Sequence, residues 1–257
     1  MAERWLTMLE IKNIKKIYHS KEVDYPVLKG ITATISDGSF IAVMGASGSG
    51  KTTLLNVMSG FIKADSGSVF LDGKDILKGD EKSLSEIRQR QLGFVFQDFM
   101  LLNGLTIREN VFLPQIIAGK PPEAMEAYTK KLLTLFGISD IAEKFPAEVS
   151  GGQKQRASIA RALSNNPSII LADEPTGNLD SKSSAAVIEA FLEAKNKMGA
   201  TLFMVTHDAF AASHADKVIA LKDGIVFGEL VRHGEPKEFL DELLNFTRKV
   251  NGEEYDT

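Results

Sequence analysis

Four short stretches of the chain carry side chains whose types and spacing could do chemistry. Residues Gly45, Ala46, Ser47, Gly48, Ser49, Gly50, Lys51 and Thr52 match G-x-x-x-x-G-K-[ST] in full. The match sits between an apolar run, Phe40 to Met44, and a segment with apolar residues at helix spacing. Glycines let such a backbone curl so that successive N–H groups point at phosphate oxygens, and the following helix N-terminus adds its dipole. Lys51 would then bridge the β- and γ-phosphates, and the Thr52 hydroxyl would ligate Mg²⁺. Thr53 is placed for the α-phosphate. By itself the loop specifies only a nucleoside triphosphate, since kinases, GTPases and motor ATPases all carry it.

The other three stretches narrow the chemistry. Ser168 to Glu174 is an apolar strand ending in two carboxylates, where Asp173 could hold Mg²⁺ through its water shell and Glu174 could accept a proton from an attacking water. His207 follows a second apolar strand, Phe203 to Thr206, in a position to contact a γ-phosphate or orient the water. Val149 precedes Ser150, Gly151, Gly152 and Gln153. Ser150 with Gln153 three residues on forms a capping box, and two glycines just after the cap allow close backbone approach to an anion at the helix start. His19, His214 and His233 have no such setting.

These residues need elements to hold them. Continuous apolar runs at Phe40 to Met44, Ile169 to Ala172 and Leu202 to Val205 suit parallel strands buried on both faces, which implies an α/β layer fold. Leu54, Leu55, Met58, Phe61 and Ile62 repeat at helix spacing after the phosphate loop. Between Gln97 and about Leu163 the texture turns helical, with one helix opening after Pro121 and Pro122, which reads as an inserted helical subdomain. Asp223 and Gly224 sit at the turn of a hairpin. From Glu235 to about Val250, Phe239, Leu240, Leu243, Phe246 and Val250 share one helical face, which could pack on the chain's own core or dock a partner.

The chain has 257 residues, 30 Lys+Arg against 34 Asp+Glu, and no cysteine. An acidic balance excludes a globally basic nucleic-acid binder, and zero cysteine removes disulfide scaffolds, thiolate nucleophiles and Cys-type zinc. The longest uncharged run, Gly38 to Gly50, is far shorter than a membrane span and rich in Gly and Ser. The N-terminal stretch has no apolar h-region, so a cytoplasmic location is expected.

Taken together, the motifs from about Tyr18 to about Gly224 resemble those of the ATP-binding-cassette (ABC) ATPases. The resemblance implies a P-loop NTPase of ABC type with a RecA-like core sheet, an N-terminal antiparallel β region and an inserted helical subdomain. It implies one ABC domain over 1–257, with about 1–97 and 165–232 as catalytic core, about 98–164 helical and about 233–257 a tail. It makes Gly45 to Thr52 the Walker A loop, Gln97 the Q-loop glutamine near Mg²⁺ and the water, and Ser150 to Gln153 the signature. Asp173 becomes the Walker B aspartate, Glu174 the catalytic glutamate, Asn178 to Asp180 the D-loop, and His207 the switch histidine. Tyr18 lies where this family stacks an aromatic ring on adenine, with Tyr25 as the alternative. The expected cofactors are ATP and Mg²⁺, the latter on Thr52, Gln97 and Asp173.

The resemblance also implies a homodimer in which each ATP lies between one copy's Walker A loop and the other's signature, working on separate membrane permease subunits from the cytoplasmic face. The Gly45 to Asn56 and Ala172 to Ser181 stretches look like the lipoprotein-release and macrolide-export group. Met204 to Asp208, Ala211 to Ser213 and Val218 to Gly224 are most similar to its bacitracin-resistance branch, where antimicrobial peptides are handled and a sensor histidine kinase joins the system. Val149 and Asn178 depart from that pattern, where leucine and alanine are commoner. The competing readings are a mechanical-signalling ATPase of the cell-division type and a DNA- or ribosome-directed ABC ATPase. The composition speaks against the latter, and no nucleic-acid partner is expected.

Overall fold

The computed structural model describes residues 7–20 and 23–252. Contacts divide the chain into two compact units, one made of Met1–Leu84 with Phe203–Thr257 and the other of Ser85–Leu202.

The first unit opens with a long antiparallel hairpin of β1 (Thr7–His19) and β2 (Asp24–Ser36). Its inward face carries Leu9, Ile11, Ile14, Leu28, Ile31 and Ile35, all essentially without solvent contact. Next comes β3 (Phe40–Met44), buried along its whole length, as a strand covered on both faces must be. It runs through the phosphate loop into α1 (Lys51–Met58). β4 (Ser66–Leu71) and the short β5 (Lys74–Asp75) complete a sheet in the order β2-β1-β4-β5. The helix at α1 is shorter than the apolar spacing predicts. Gly60 turns left-handed at φ 70°, and the amides of Phe61 and Ile62 fold back onto the Asn56 carbonyl at 2.9 and 3.1 Å. The helix is thereby closed at Met58, and Phe61 is left at the surface.

From α2 (Glu81–Arg90) the chain enters the second unit. It holds β6 (Leu92–Phe96), α3 (Ile107–Ile117), α4 (Pro122–Leu135), α5 (Gly151–Leu163), β7 (Ile169–Asp173) and α6 (Ser181–Met198). β6 and β7 pair in parallel from Leu92 opposite Ile169 to Phe96 opposite Asp173. That register brings the residues after both strands to the same end. α3 begins at a capping box in which Thr106 and Glu109 satisfy each other's amides. Buried Gln115 then joins it to α4 by donating to Thr129 Oγ1 at 2.8 Å.

The chain re-enters the first unit along β8 (Thr201–Val205), followed by α7 (Ala209–Ser213), β9 (Lys217–Lys222), β10 (Ile225–Val231) and α8 (Pro236–Asn251). The strands there run in the order β10-β9-β3-β8, with β3 and β9 parallel and β9 and β10 antiparallel about the Asp223–Gly224 turn. α8 lays Phe239, Leu243 and Val250 into the core against α7 and β9. Its apolar face thus covers the chain's own sheet, and each fully buried side chain contributes about 1.5–3 kcal/mol. No helix among the described residues is long and apolar enough to cross a membrane.

Candidate functional site

In the first unit the loop from Gly45 to Gly50 is a curl packed tightly at its two ends. A Cβ on Gly45 would lie 2.3 Å from the Leu221 carbonyl oxygen, so only glycine lets β3 leave the sheet here. Gly48 and Gly50 take φ 80° and 103°, values that favour glycine. At Gly50 a Cβ would also strike Leu28 Cδ2 at 2.8 Å, so β2 packs directly against the loop. The Lys51 ammonium is buried and donates to the carbonyls of Gly45 at 2.8 Å and Ala46 at 3.2 Å, with no carboxylate partner among the described residues. Ser49 Oγ is buried with no hydrogen-bond partner. α1 begins with Lys51 and carries no acidic side chain in its first turn. A cation without a counter-ion, an orphaned hydroxyl and open helix amides form a cradle suited to a polyphosphate. Thr52 is exposed beside it and Thr53 half-buried, while Ala46, Ser47 and Gly48 face solvent.

His207 stands at the same place. The Thr206 amide donates to Val43 O at 3.0 Å, which ties the end of β8 to β3. His207 lines a cavity of about 190 Å³ together with Met44, Gly45, Ala46 and the α8 residues Leu243 and Phe246. The participation of α8 was not readable from its amphipathic pattern alone. Tyr18 and Tyr25 are direct cross-strand partners in the β1–β2 hairpin. Such partners project to one face, so the two tyrosines stand side by side, 40% and 55% exposed. Lys16 Nζ lies 5.6 Å from the Tyr18 ring centre.

In the second unit the end of the β6–β7 pair collects the remaining groups. Asp173 ends β7, and Glu174 follows at φ 46°, a left-handed backbone that turns the chain sharply. The Gly177 amide closes that turn onto Glu174 O at 3.0 Å. Gln97 follows β6, and its Nε2 donates to Asn178 Oδ1 at 3.0 Å, while Asn178 Nδ2 donates to Asp98 Oδ1 at 2.9 Å. Buried Gln155 of α5 donates to Pro175 O at 2.8 Å and Phe96 O at 3.3 Å, binding both strand ends to the helix. Arg161, also on α5, donates to the carbonyls of Phe99, at 2.8 Å, and Met100. Burial pushes its guanidinium down to about 10.

The start of α5 at Ser150 is a formed cap. Ser150 N donates to Gln153 Oε1 at 2.9 Å, and Gln153 N donates back to Ser150 Oγ at 3.3 Å. A Cβ on Gly151 would approach Leu179 to 3.0 Å, and one on Gly152 would approach Ser183 to 3.2 Å. The close approach these glycines permit is therefore partly to the chain's own Leu179 and α6. Asp180 caps α6, accepting from Ser183 N at 2.9 Å and Ser183 Oγ at 2.7 Å, and these bonds hold its carboxyl below the usual range. Sequence reasoning missed Gln155, Arg161 and the bridging role of Asn178. Polar side chains facing inward from an otherwise apolar helix stripe were the available signal for the first two.

The profile of the ABC transporter family matches residues 28–177, from the strand packed on the phosphate loop to the turn after Glu174. This chain is an ATP-binding subunit of the ABC transporter family. The bacitracin export ATP-binding protein BceA of Halalkalibacterium halodurans is 44% identical over 96% of this chain and 98% of its own length. The macrolide export ATP-binding/permease protein MacB of Syntrophobacter fumaroxidans is 40% identical over 86% of this chain and 31% of its own length. Among solved structures, the dimeric cassette MJ0796 superposes with a TM-score of 0.80 at 38% identity, covering 88% of this chain and all of that one. The same cassette is known in a dimeric post-hydrolysis state with ADP and Pi. The fold class expected from the resemblance, and ATP hydrolysis as the activity, accordingly hold for this ABC ATPase.

Proposed function

We propose that this ABC ATPase works as a homodimer on the cytoplasmic face of the membrane, driving a separate permease that confers resistance to antimicrobial peptides. The phosphate cradle carries the ATP-binding part of the reading, because a buried Lys51 and an unpartnered Ser49 hydroxyl are costly to keep unless an anion completes them. Lys51 exchanges its two loop carbonyls for β- and γ-phosphate oxygens. Gly45 to Gly50 supply backbone donors, Thr53 reaches the α-phosphate, and Tyr18 stacks on the base. Thr52, Asp173 and Gln97 would hold Mg²⁺, which supplies neutralisation of charge on the β- and γ-phosphates. Glu174 accepts the proton of the attacking water, and His207 orients that water against the γ-phosphate. Ser150 to Gln153 of one copy close over the nucleotide of the other, with Asp180 at the same junction.

The names of two relatives support a permease partner: BceA is a bacitracin export ATP-binding protein, and MacB joins an ATP-binding part to a permease. Similarity to BceA favours peptide resistance over lipoprotein release. The test is purification of the Glu174→Gln variant from native membranes with ATP present. It should neither hydrolyse ATP nor lose it, and should bring down a large permease together with a sensor histidine kinase. Hydrolysis at the wild-type rate would remove Glu174 as the base. Recovery of a small division-type permease with a cell-wall hydrolase would replace peptide resistance with mechanical signalling.

A further inference from the structure

The Q-loop glutamine is held by a hydrogen-bond relay whose polarity runs one way. An amide side chain has a donor at one end and an acceptor at the other, and its two orientations are nearly the same shape. Only the surrounding network decides which end faces where. Asp98, as a carboxylate, can only accept, so the atom of Asn178 that meets it at 2.9 Å must be Nδ2. Asn178 Oδ1 is then the end that faces Gln97 at 3.0 Å, and an oxygen there can only accept. Gln97 must therefore turn Nε2 toward Asn178, which leaves its Oε1, the end with lone pairs, directed away from the turn. Gly177 makes room for this arrangement, since a Cβ there would come within 3.2 Å of Gln97 Cδ.

We infer that Asn178 is a positioning residue: the Asp98–Asn178–Gln97 relay holds the Gln97 carbonyl oxygen outward as a ligand for the divalent cation that accompanies ATP. Asn178 belongs to the turn that leads into Asp180, so the relay also ties the orientation of a metal ligand to the D-loop. Displacement of the D-loop frees the Gln97 amide to rotate, and an inverted amide presents N–H groups, which repel a cation. Arg161 fastens the other side of the same segment through Phe99 O and Met100 O, so rotation at Gln97 is governed from the Asn178 side. The inference rests on the ATPase reading above.

The experiment is calorimetric titration of ATP into the full-length chain in the Glu174→Gln background, once in Mg²⁺ and once in EDTA. The ratio of the two affinities reports the metal contribution without any turnover. Asn178→Ala should lower that ratio about 10-fold, the size of effect typical of groups that orient a metal ligand, with ATP binding in EDTA unchanged. Gln97→Ala should lower it by the same factor, and the double variant no further. Asp98→Asn keeps both hydrogen bonds but lets the amides invert together, so it should fall between wild type and Asn178→Ala. It provides the test should Asn178→Ala fold poorly. An unchanged ratio, an effect that adds to that of Gln97→Ala, or an equal loss in EDTA would overturn the positioning role. Absence of ATP binding by the parent chain in both media would overturn the ATPase reading instead.

Discussion

Replacing Arg161 by Met should loosen the segment after Gln97 while leaving the melting temperature almost unchanged. The guanidinium makes two charge-assisted hydrogen bonds, to Phe99 O and Met100 O. Met100 is 56% exposed, so water can replace the bond to its carbonyl. The bond to half-buried Phe99 is the one that counts, at about 1.5–3 kcal/mol. Against this stands the cost of keeping the charge buried. A guanidinium that burial pushes down to about 10 is disfavoured by about 3 kcal/mol in its charged form. Global unfolding hydrates the guanidinium and recovers that cost, so loss and relief nearly cancel and Tm should move by less than about 4 °C. Local opening of the loop recovers little of it. Amides closed within the segment, Phe99 onto Phe96 O and Leu105 onto Leu102 O, should exchange about 10- to 150-fold faster, which is 1.5–3 kcal/mol expressed as a rate ratio. Hydrogen exchange followed by mass spectrometry reads this directly. Wild-type exchange in residues 98–105, or uniform acceleration across the chain together with a large fall in Tm, would refute the tether.

Three further perturbations separate structure from ligand binding. Ser49→Ala removes a buried hydroxyl that has no partner, so thermal stability should hold or rise, while ATP affinity measured by calorimetry should fall about 10- to 100-fold if the hydroxyl meets a phosphate oxygen. Tyr18→Ala and Tyr25→Ala should each weaken ATP binding yet spare inorganic triphosphate. Because the rings are cross-strand neighbours, the double variant should lose less than the sum of the two effects; an unchanged ATP affinity in Tyr25→Ala would mean that Tyr25 has no part in the base site. Asp180→Ala removes the cap of α6 and should lower Tm. The Asp180 carboxyl is held below 3.8 by Ser183 in the folded state, so its contribution is complete above that value and is lost as pH falls through the folded value. The Tm gap between wild type and variant should therefore be constant from pH 5 to 8 and close on acidification, and a gap that persists at low pH would exclude the charged cap.

How far the site could be read from the sequence depended on how local its physics is. The curl from Gly45 to Gly50 was legible because Gly48 and Gly50 answer a local need for left-handed backbone, whereas the remote neighbours Leu221 and Leu28 that crowd Gly45 and Gly50 were not. The Ser150–Gln153 cap was legible for the same reason, since a capping box is closed by residues three apart. Strands β3, β7 and β8 announced themselves as unbroken apolar runs, which only a strand buried on both faces requires. The end of α1 was not legible, because Phe61 and Ile62 kept helix spacing past a glycine whose left-handed turn overrode it.

By itself the sequence determined the chemistry available: a phosphate loop, strand-end carboxylates, a strand-end histidine, and a capped glycine pair. It also determined the ABC family through their order. Only the tertiary structure decided which neighbours each group answers to. It set Tyr25 beside Tyr18, put α8 beside His207 and the loop from Gly45, and used Asn178, Gln155 and Arg161 to fasten the segment from Gln97 to Met100. Apart from the two tyrosines, which share one hairpin, these pairings join residues tens of positions apart. Strand register and helix packing create them, and the period of a single element carries no trace of them.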